Sequence, residues 1–320
     1  MLLSRFAVGM FSVGLMLPGA GRVLGQDFPN KPVRIVTSVA GGGNDFAARL
    51  IAPGLATRLG QPVIVDNKGS TLLSTDISAK ALPDGYTLHV NGALLWIYPM
   101  LQKAPYDAIR DFSPVALIST EPSLVAVHPS VAVNSIKELI ALAKARPGVL
   151  NYGSTAAGGA THLAVELFKS MAGVNIVNVP YKGSGPAITA LLSGEVQLLI
   201  FDVGLLLPHA KSGKLRALAV TSAEPSALVP GLPTVAASGL PGYEKVGMTG
   251  IWAPAKTPAA VINRLNQEIV RVLGQPEVKE RVTNAGADIV ASSPEQFAAT
   301  IRSDMARMGK VIQDAEIKVN

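Results

Sequence analysis

Apolar and polar positions alternate along the chain with two periods, one typical of strands and the other typical of helices. Residues 32–37 are a short β-branched run, residues 38–44 are rich in glycine, and residues 45–59 place apolar side chains at helical spacing. The first pattern predicts a strand and the last predicts a helix. Strand, glycine-rich turn and helix in this order form the βα unit of a parallel sheet.

The same alternation recurs through most of the chain. The hydrophobic pattern predicts further strands at residues 63–65, 86–90, 150–152, 175–179, 196–201 and 217–221. It predicts further helices at residues 135–145, 161–171, 186–192, 258–273, 277–284 and 294–313. A loop-rich crossing with four prolines, residues 222–245, precedes the C-terminal helices.

Chain length favours two lobes over one. The chain has 320 residues, which exceeds the usual size of a protein built on a single core. The predicted elements place a second α/β unit inside the first one along the chain. The C-terminal helices then return to the first unit. We therefore predict that residues 26–124 and 250–320 form lobe 1, that residues 125–249 form lobe 2, and that a cleft lies between them.

Residues 1–25 have the order of a secretory signal peptide. Arg5 precedes an apolar stretch, a Pro-Gly pair follows, and small residues end at Gly25. The stretch of about twelve apolar residues is too short to cross the roughly 30 Å hydrocarbon core of a bilayer. We predict cleavage between Gly25 and Gln26 and a periplasmic protein, with an uncleaved anchor as the alternative.

Composition narrows the class of protein further. The chain is 48% hydrophobic and 16% charged, with a mean hydropathy of +0.35, which is too apolar for a disordered protein. It contains no cysteine, which excludes disulfides, thiolate nucleophiles, cysteine-bound metals and a lipid-modified cysteine. Of the net charge of +6, two units come from Arg5 and Arg22 in the leader, and the other basic residues are scattered. We therefore expect no nucleic-acid partner.

Motifs for catalysis or cofactor binding are absent from the sequence. No nucleophile elbow, phosphate-binding loop, dinucleotide fingerprint or H-E-x-x-H zinc motif occurs, so we expect no enzyme and no cofactor. His162 and Glu166 have the spacing of a metal-binding pair or of an ordinary pair on a helix face. With four histidines far apart, we expect no metal. Ser154 has no recognisable base, which favours a role as a ligand donor over one as a nucleophile.

Two glycine-rich turns are the strongest candidates for binding. Residues 40–45 and 153–159 each follow a predicted strand and precede a predicted helix. The first amides of a helix lack intrahelical partners and carry partial positive charge, and glycine lets a ligand approach them closely. Two such turns on opposite lobes form an anion clamp that needs no arginine. The alternative is that each is only a tight connection between strand and helix.

Short motifs in a fixed order run through the mature chain. They are FPNKPVRIV (28–36), AGGGND (40–45), LGQPV (59–63), PDGYTL (83–88), DFSP (111–114), YGS (152–154), VPYKG (179–183) and GKLRALAVT (213–221). This ordered set resembles the Bug family, the extracytoplasmic solute-binding proteins of tripartite tricarboxylate transporters. The similarity covers nearly the whole mature chain.

The resemblance implies a type II periplasmic-binding-protein fold, in which two α/β lobes surround a ligand cleft. It also implies a receptor that captures a small organic carboxylate and delivers it to the membrane permease subunits of a tripartite transporter. The sequence leaves two other functions open. One is a ligand sensor for a two-component sensor kinase, and the other is an enzyme that acts on a carboxylate.

The resemblance further implies which residues bind the ligand, through backbone and hydroxyl groups of the two turns. The implied residues are Ala40, Gly41, Gly43 and Asp45 from one lobe, and Ser154, Thr155 and Thr161 from the other. Asp202 is expected to face the cleft and to hold an ammonium or hydroxyl group of the ligand. A helix N-cap is the alternative role for Asp202.

The sequence departs from the family pattern in a loop that ordinarily lines the cleft. Small residues there are replaced by Thr71, Leu72 and Leu73, and we expect Thr71 to contact the ligand. Two further predicted cleft loops, residues 93–96 and 203–207, are also unusually apolar. These changes lead to the hypothesis that the ligand is an aromatic or alkyl carboxylate. The alternative is that these side chains pack inside the lobes.

Overall fold

The computed structural model describes residues 28–155 and 158–317, and the predicted signal peptide lies outside them. The strands in this part of the chain are β1 (Val33–Thr37), β2 (Val63–Asn67), β3 (Thr87–Gly92), β4 (Phe112–Val127), β5 (Asn151–Ser154), β6 (Val177–Pro180), β7 (Leu198–Asp202), β8 (Arg216–Val220), β9 (Val246–Pro254) and β10 (Asp288–Ile289). The helices are α1 (Gly43–Leu59), α2 (Thr71–Ala79), α3 (Leu94–Leu101), α4 (Ile136–Ala145), α5 (Ala160–Ala172), α6 (Ser184–Ser193), α7 (Val203–Lys211), α8 (Ala259–Leu273), α9 (Pro276–Asn284) and α10 (Pro294–Asp314).

The strands form one continuous path of hydrogen-bonded neighbours. Their order is β2-β1-β3-β9-β4-β7-β5-β6, and β8 and β10 also pair with β4. β1 lies parallel to β2 and β3, and β5 lies parallel to β6 and β7. The two parallel groups contain the predicted βα units, so α1 and α5 start beyond the carboxyl ends of strands, which is where ligands bind in open α/β sheets.

The long strand β4 connects the two parallel groups. Phe112 to Pro122 pair with β9, whereas Ser123 to Val127 pair with β7 and β8. The pairing partner therefore changes between Pro122 and Ser123. The predicted lobe boundaries, after residues 124 and 249, lie close to this change and stay a prediction.

The helix α10 packs across the middle of the sheet. Phe297 of α10 contacts the Trp252 ring on β9, at a centroid distance of 4.9 Å, and the Trp96 ring on α3. Gly250 makes this packing possible, because a Cβ atom there would overlap the Phe297 ring. A capping box of Ser293 and Gln296 sets where α10 begins.

Three helices replace segments that were predicted to be cleft loops. Thr71, Leu72 and Leu73 form the first turn of α2, which the Ser70 hydroxyl caps by accepting from the Leu73 amide. Residues 94–96 are the first residues of α3, and residues 203–207 lie in α7. The loop assignments were wrong because the three helices are short and α3 is apolar on every side, so none shows a clear amphipathic repeat. Within the described residues, no helix has both the length and the apolar character to span a bilayer.

Candidate functional site

The first glycine turn leaves helix amides open to the solvent. Gly41 has φ +80°, a conformation that side chains rarely adopt, and Gly42 caps α1 without any side-chain hydrogen bond. α1 then begins at Gly43, where an added Cβ would meet no atom within 4 Å. The first amides of α1 therefore face open space, and the helix dipole makes this end favourable for an anion.

Asp45 fixes the shape of this turn from inside the lobe. Its carboxylate is 4% exposed and accepts from the Gly41 amide at 2.9 Å, from Arg49 Nε at 2.9 Å and from Asn67 Nδ2 at 2.8 Å. Burial alone would raise the pKa of Asp45, but these hydrogen bonds outweigh burial and hold it below its usual range. Both oxygens of Asp45 are thus engaged within the lobe.

A buried polar network supports the same turn from below. His89 is 1% exposed, and its Nδ1 lies 3.1 Å from the Val36 carbonyl oxygen. Since a carbonyl only accepts, Nδ1 carries the proton. Nε2 then accepts from the side-chain amide of Asn91 at 3.1 Å. Asn91 also accepts from Asn44 in the first turn of α1, at 3.2 Å. Burial lowers the pKa of His89 to about 4, although its bond to Val36 opposes the change, so the ring is neutral at pH 7.

The His89 ring makes the folded protein sensitive to acid. As the pH falls from 6.5 towards 4, the unfolded chain gains a proton at His89 that the folded chain does not accept. We expect this difference to remove about 3 kcal/mol of stability by pH 4. Urea unfolding at pH 7 and at pH 4.5 measures the loss, which should shrink in His89→Gln.

His128→Gln provides the control for this experiment, because His128 is partly exposed beside Ser130. The stability of the His128→Gln variant should depend on pH as that of the wild type does. Equal loss of stability in the wild type and in His89→Gln would contradict the assignment of the acid sensitivity to His89.

The second turn has its hydroxyl groups engaged locally. Ser154 is fully buried and donates to Asn178 Oδ1 at 2.8 Å. The Thr155 amide donates to Thr161 Oγ1 at 3.2 Å, which ties the turn to the first turn of α5. Gly158 donates its amide to His162 Nδ1 at 3.0 Å. Thr155 and Thr161 are half-buried and keep part of their surface accessible.

A cavity of about 390 Å³ lies in front of the first turn. Its lining is Gly41, Gly42, Gly43, Phe46, Ala47 and Leu50 from the turn and α1, Ile118, Ser119 and Glu121 from β4, Asp202, Gly247 and Thr249, and Val282, Ala285 and Ala287 near α9. The structure therefore brings together three of the predicted site residues, Gly41, Gly43 and Asp202.

The other predicted site residues lie outside this lining. Within the described residues, they are Ala40, Asp45, Thr71, Ser154, Thr155 and Thr161. Ala40 is exposed next to the turn, and Thr71 is half-buried at the start of α2. Their predicted contact with the ligand stays a prediction.

Glu121 is a cavity residue that the sequence analysis missed. Its Oε1 accepts from Ser119 Oγ at 2.9 Å and from Thr249 Oγ1 at 3.2 Å. Burial raises the pKa of Glu121 to about 7, with the two hydroxyls opposing and the charge of Asp202 adding to the rise. The signal was present in the sequence, since Glu121 is the only charged residue between positions 114 and 127 of an otherwise largely apolar strand.

Asp202 ends β7 and precedes α7. It occupies the N-cap position, but its side chain makes no capping hydrogen bond, so the carboxylate is not committed to the helix. The side chain is accessible to the solvent of the cavity, and burial by the surrounding walls raises its pKa. The alternative role as a capping side chain is therefore not realised in this structure.

Large apolar side chains on several elements stay exposed near the ends of the strands. They are Phe46 on α1, Leu73 on α2, Leu94 on α3 and Leu205 on α7. Their neighbours Trp96 and Leu206 are fully buried in the core. The apolar departures noted in the sequence thus divide between core packing and exposed positions.

His162 and Glu166 form an ordinary structural pair. Glu166 Oε1 accepts from the Tyr152 hydroxyl at 2.7 Å and from Lys169 Nζ at 2.7 Å, and His162 Nε2 lies 3.7 Å away. Across residues 28–155 and 158–317, no group of three or more His, Cys, Asp or Glu side chains comes together as metal ligands would.

Comparisons with known proteins agree on one family. The model of the tripartite tricarboxylate transporter family receptor matches residues 47–317. The protein BugT of Bordetella pertussis strain Tohama I is 34% identical over 316 residues, covering 96% of this chain and 97% of BugT. The structure of Rpa4515 from R. palustris with adipate is 35% identical, with a TM-score of 0.72 over 91% of this chain and 99% of that one. The periplasmic binding protein BugD is 30% identical, with a TM-score of 0.68 over 91% and 99%.

Proposed function

Since the chain belongs to the family of tripartite tricarboxylate transporter receptors, we propose that it binds one small organic carboxylate and delivers it to the permease subunits of such a transporter. The resemblance to the Bug family is confirmed, and so is the α/β binding-protein fold around a cleft. The observation that carries the proposal is the cavity in front of the open amides of Gly42 and Gly43, beside Gly41, whose amide donates to Asp45.

In this proposal, the ligand carboxylate sits at the N-terminus of α1. Glycine at three successive positions leaves the backbone accessible, and the helix dipole favours the negative charge. Asp45 and Asn91 hold the turn in place, so its amides need little rearrangement when the ligand binds. The structural neighbour Rpa4515 contains adipate, which is also a carboxylate. The turn at Ser154 is proposed to complete the site from the second lobe when the two lobes close.

We further propose that the ligand has an apolar body. Phe46, Ala47, Leu50 and Ile118 form an apolar wall next to the glycine turn, and Phe46 is 37% exposed. Each apolar side chain that an alkyl or aromatic group covers contributes on the order of 1 kcal/mol to binding. Export through the leader at residues 1–25 would place the receptor in the periplasm, where it meets such ligands.

A thermal-shift screen of carboxylates tests the proposal. A ligand at one hundred times its Kd stabilises the folded state by about 2.7 kcal/mol, which raises the melting temperature measurably. We expect alkyl or aromatic carboxylates to raise it and citrate to leave it unchanged. A shift with citrate alone would contradict the apolar body, and no shift with any carboxylate would contradict the receptor function.

A further inference from the structure

We infer that Glu121 is a specificity-determining residue which, together with Asp202, selects a ligand that carries a cationic amino group at the end remote from its carboxylate. This inference rests on the proposed function, because it concerns the second end of the same bound molecule. It assigns the ligand to the class of amino carboxylates whose two charged groups are separated by an apolar segment.

The position of Glu121 is fixed by its neighbours on two strands. Ser119 and Thr249 both donate to Oε1, which orients the carboxyl group, whereas Oε2 accepts no hydrogen bond from any described residue. Gly247 lies opposite on β9 and leaves the space that the carboxyl group occupies, since a Cβ there would lie 2.6 Å from Oε2. The carboxyl group is therefore held at the cavity wall with one oxygen left for a ligand.

Asp202 lies on the same side of the sheet as Glu121. It pairs directly with Ser123, two residues along β4 from Glu121, and successive odd positions of a strand share one face. Diagonal neighbours of this kind have Cα atoms roughly 7–8 Å apart, a distance that one ammonium group can bridge through two side chains. Both residues line the cavity.

The positive charge that would balance these two acids is missing from the cavity. Within the described residues, the lining contains Glu121 and Asp202 but no lysine or arginine. Lys245, whose charge acts on Glu121, is 4% exposed and donates to the Val246 carbonyl at 3.3 Å. Among the described residues no salt bridge joins it to Glu121, although its charge acts to lower the pKa of Glu121 and also interacts with Asp304 and Glu244. A ligand ammonium supplies the missing charge.

The two ends of the cavity thus have opposite character. The amides of Gly42 and Gly43 favour an anion, and the carboxyls of Glu121 and Asp202 favour a cation. Because burial raises the pKa of Glu121 to about 7, its ionised fraction, and with it the attraction for an ammonium, increases as the pH rises from 6 to 8. Ser119, Thr249, Lys245 and Asp202 are the polar groups that face Glu121 from the packed strands.

Calorimetric titration with three matched probes tests the inference. ε-Aminocaproate, adipate and caproate share a six-carbon chain, and the carbon remote from the common carboxylate carries an ammonium in the first, is a second carboxylate in adipate and is a methyl group in caproate. At pH 8, we expect the wild type to bind ε-aminocaproate at least tenfold more tightly than adipate. Removing one charged hydrogen-bond partner commonly costs about tenfold or more in affinity, so Glu121→Gln should reduce binding of ε-aminocaproate by about tenfold and leave caproate unchanged.

The same set of measurements includes two further variants and a pH comparison. Asp202→Asn should also reduce the affinity for ε-aminocaproate. Glu195→Gln changes an exposed glutamate outside the cavity and should leave that affinity unchanged. Affinity of the wild type for ε-aminocaproate should increase from pH 6 to pH 8, while affinity for caproate stays constant. The succinate, butyrate and γ-aminobutyrate series repeats the test at a shorter length.

The outcomes separate the inference from the function on which it rests. If adipate or caproate binds more tightly than ε-aminocaproate, and Glu121→Gln leaves their ratio unchanged, the inference is overturned and the carboxylate receptor stands. If none of the probes binds at either length, the receptor function for such carboxylates fails, and the inference fails with it.

Discussion

Replacing Gly43 with valine is expected to weaken carboxylate binding while the protein stays folded. The valine side chain would cover the first amides of α1, and an added Cβ at this position meets no atom within 4 Å, so the fold accommodates it. Loss of one charge-assisted hydrogen bond costs about 1.5–3 kcal/mol, which corresponds to roughly 10- to 150-fold in Kd. Calorimetric titration with a carboxylate from the thermal-shift screen measures the change.

Gly309→Val is the matched control for this substitution. Gly309 lies inside α10, also has open space around its Cβ position and does not line the cavity. The Gly309→Val variant should bind the carboxylate with wild-type affinity. Wild-type affinity in Gly43→Val would show that the carboxylate does not approach the start of α1.

Replacing Asp45 with alanine is expected to have the largest effect on stability. The change leaves the backbone amide of Gly41 and the side-chain amide of Asn67 without their acceptor, and it removes the carboxylate partner of Arg49. Breaking a buried, hydrogen-bonded charge network of this kind costs about 3 kcal/mol. Since Gly41 then loses its anchor, carboxylate affinity should fall as well. Urea unfolding and calorimetry on the same sample measure both effects.

Asp314→Ala removes a similar pair that is exposed. Lys310 and Asp314 also lie four residues apart, and their side chains are 73% and 41% exposed. Exposed pairs of this type contribute about 0.5 kcal/mol or less. Equal losses of stability in Asp45→Ala and Asp314→Ala would show that Asp45 does not organise the glycine turn.

Local sequence patterns predicted the elements that flank the glycine turns. β1 and α1 follow directly from a β-branched run, three glycines and a helical repeat, and α10 follows from its capping box and amphipathic spacing. α2, α3 and α7 were not predicted, because these short helices lack a clear amphipathic repeat, which is the pattern that predicts a helix. β9 also lacked a signal, because it is central and apolar on both faces.

The candidate site was predicted only where its residues lie in a recognisable turn. Gly41 and Gly43 were identified from the glycine turn, and Asp202 from the family resemblance, and the structure brings all three to one cavity. Glu121 stands out in the sequence as a single charge in an apolar strand, but its contact with Thr249 was missed because it forms through pairing of β4 with β9, which are more than a hundred residues apart in the chain. No local pattern encodes such an antiparallel contact.

The hydrogen bonds of Asp45 also could not be predicted from spacing. The family resemblance implied Asp45 as a ligand-binding residue of the turn, whereas in the structure both of its carboxylate oxygens accept from Gly41, Arg49 and Asn67. Asn67 reaches this carboxylate only because β2 lies beside β1 in the sheet. A positioning role for Asp45 therefore depends on tertiary structure.

The central claim is that a ligand carboxylate binds to the amides of the first glycine turn. Amide spectra of protein labelled with ¹⁵N at glycine alone, recorded during titration with a carboxylate from the screen, test it most directly. The account predicts that the signals of Gly42 and Gly43, whose amides are not donated within the lobe, shift together as the site fills. Saturation by the carboxylate with these two signals unmoved would contradict it.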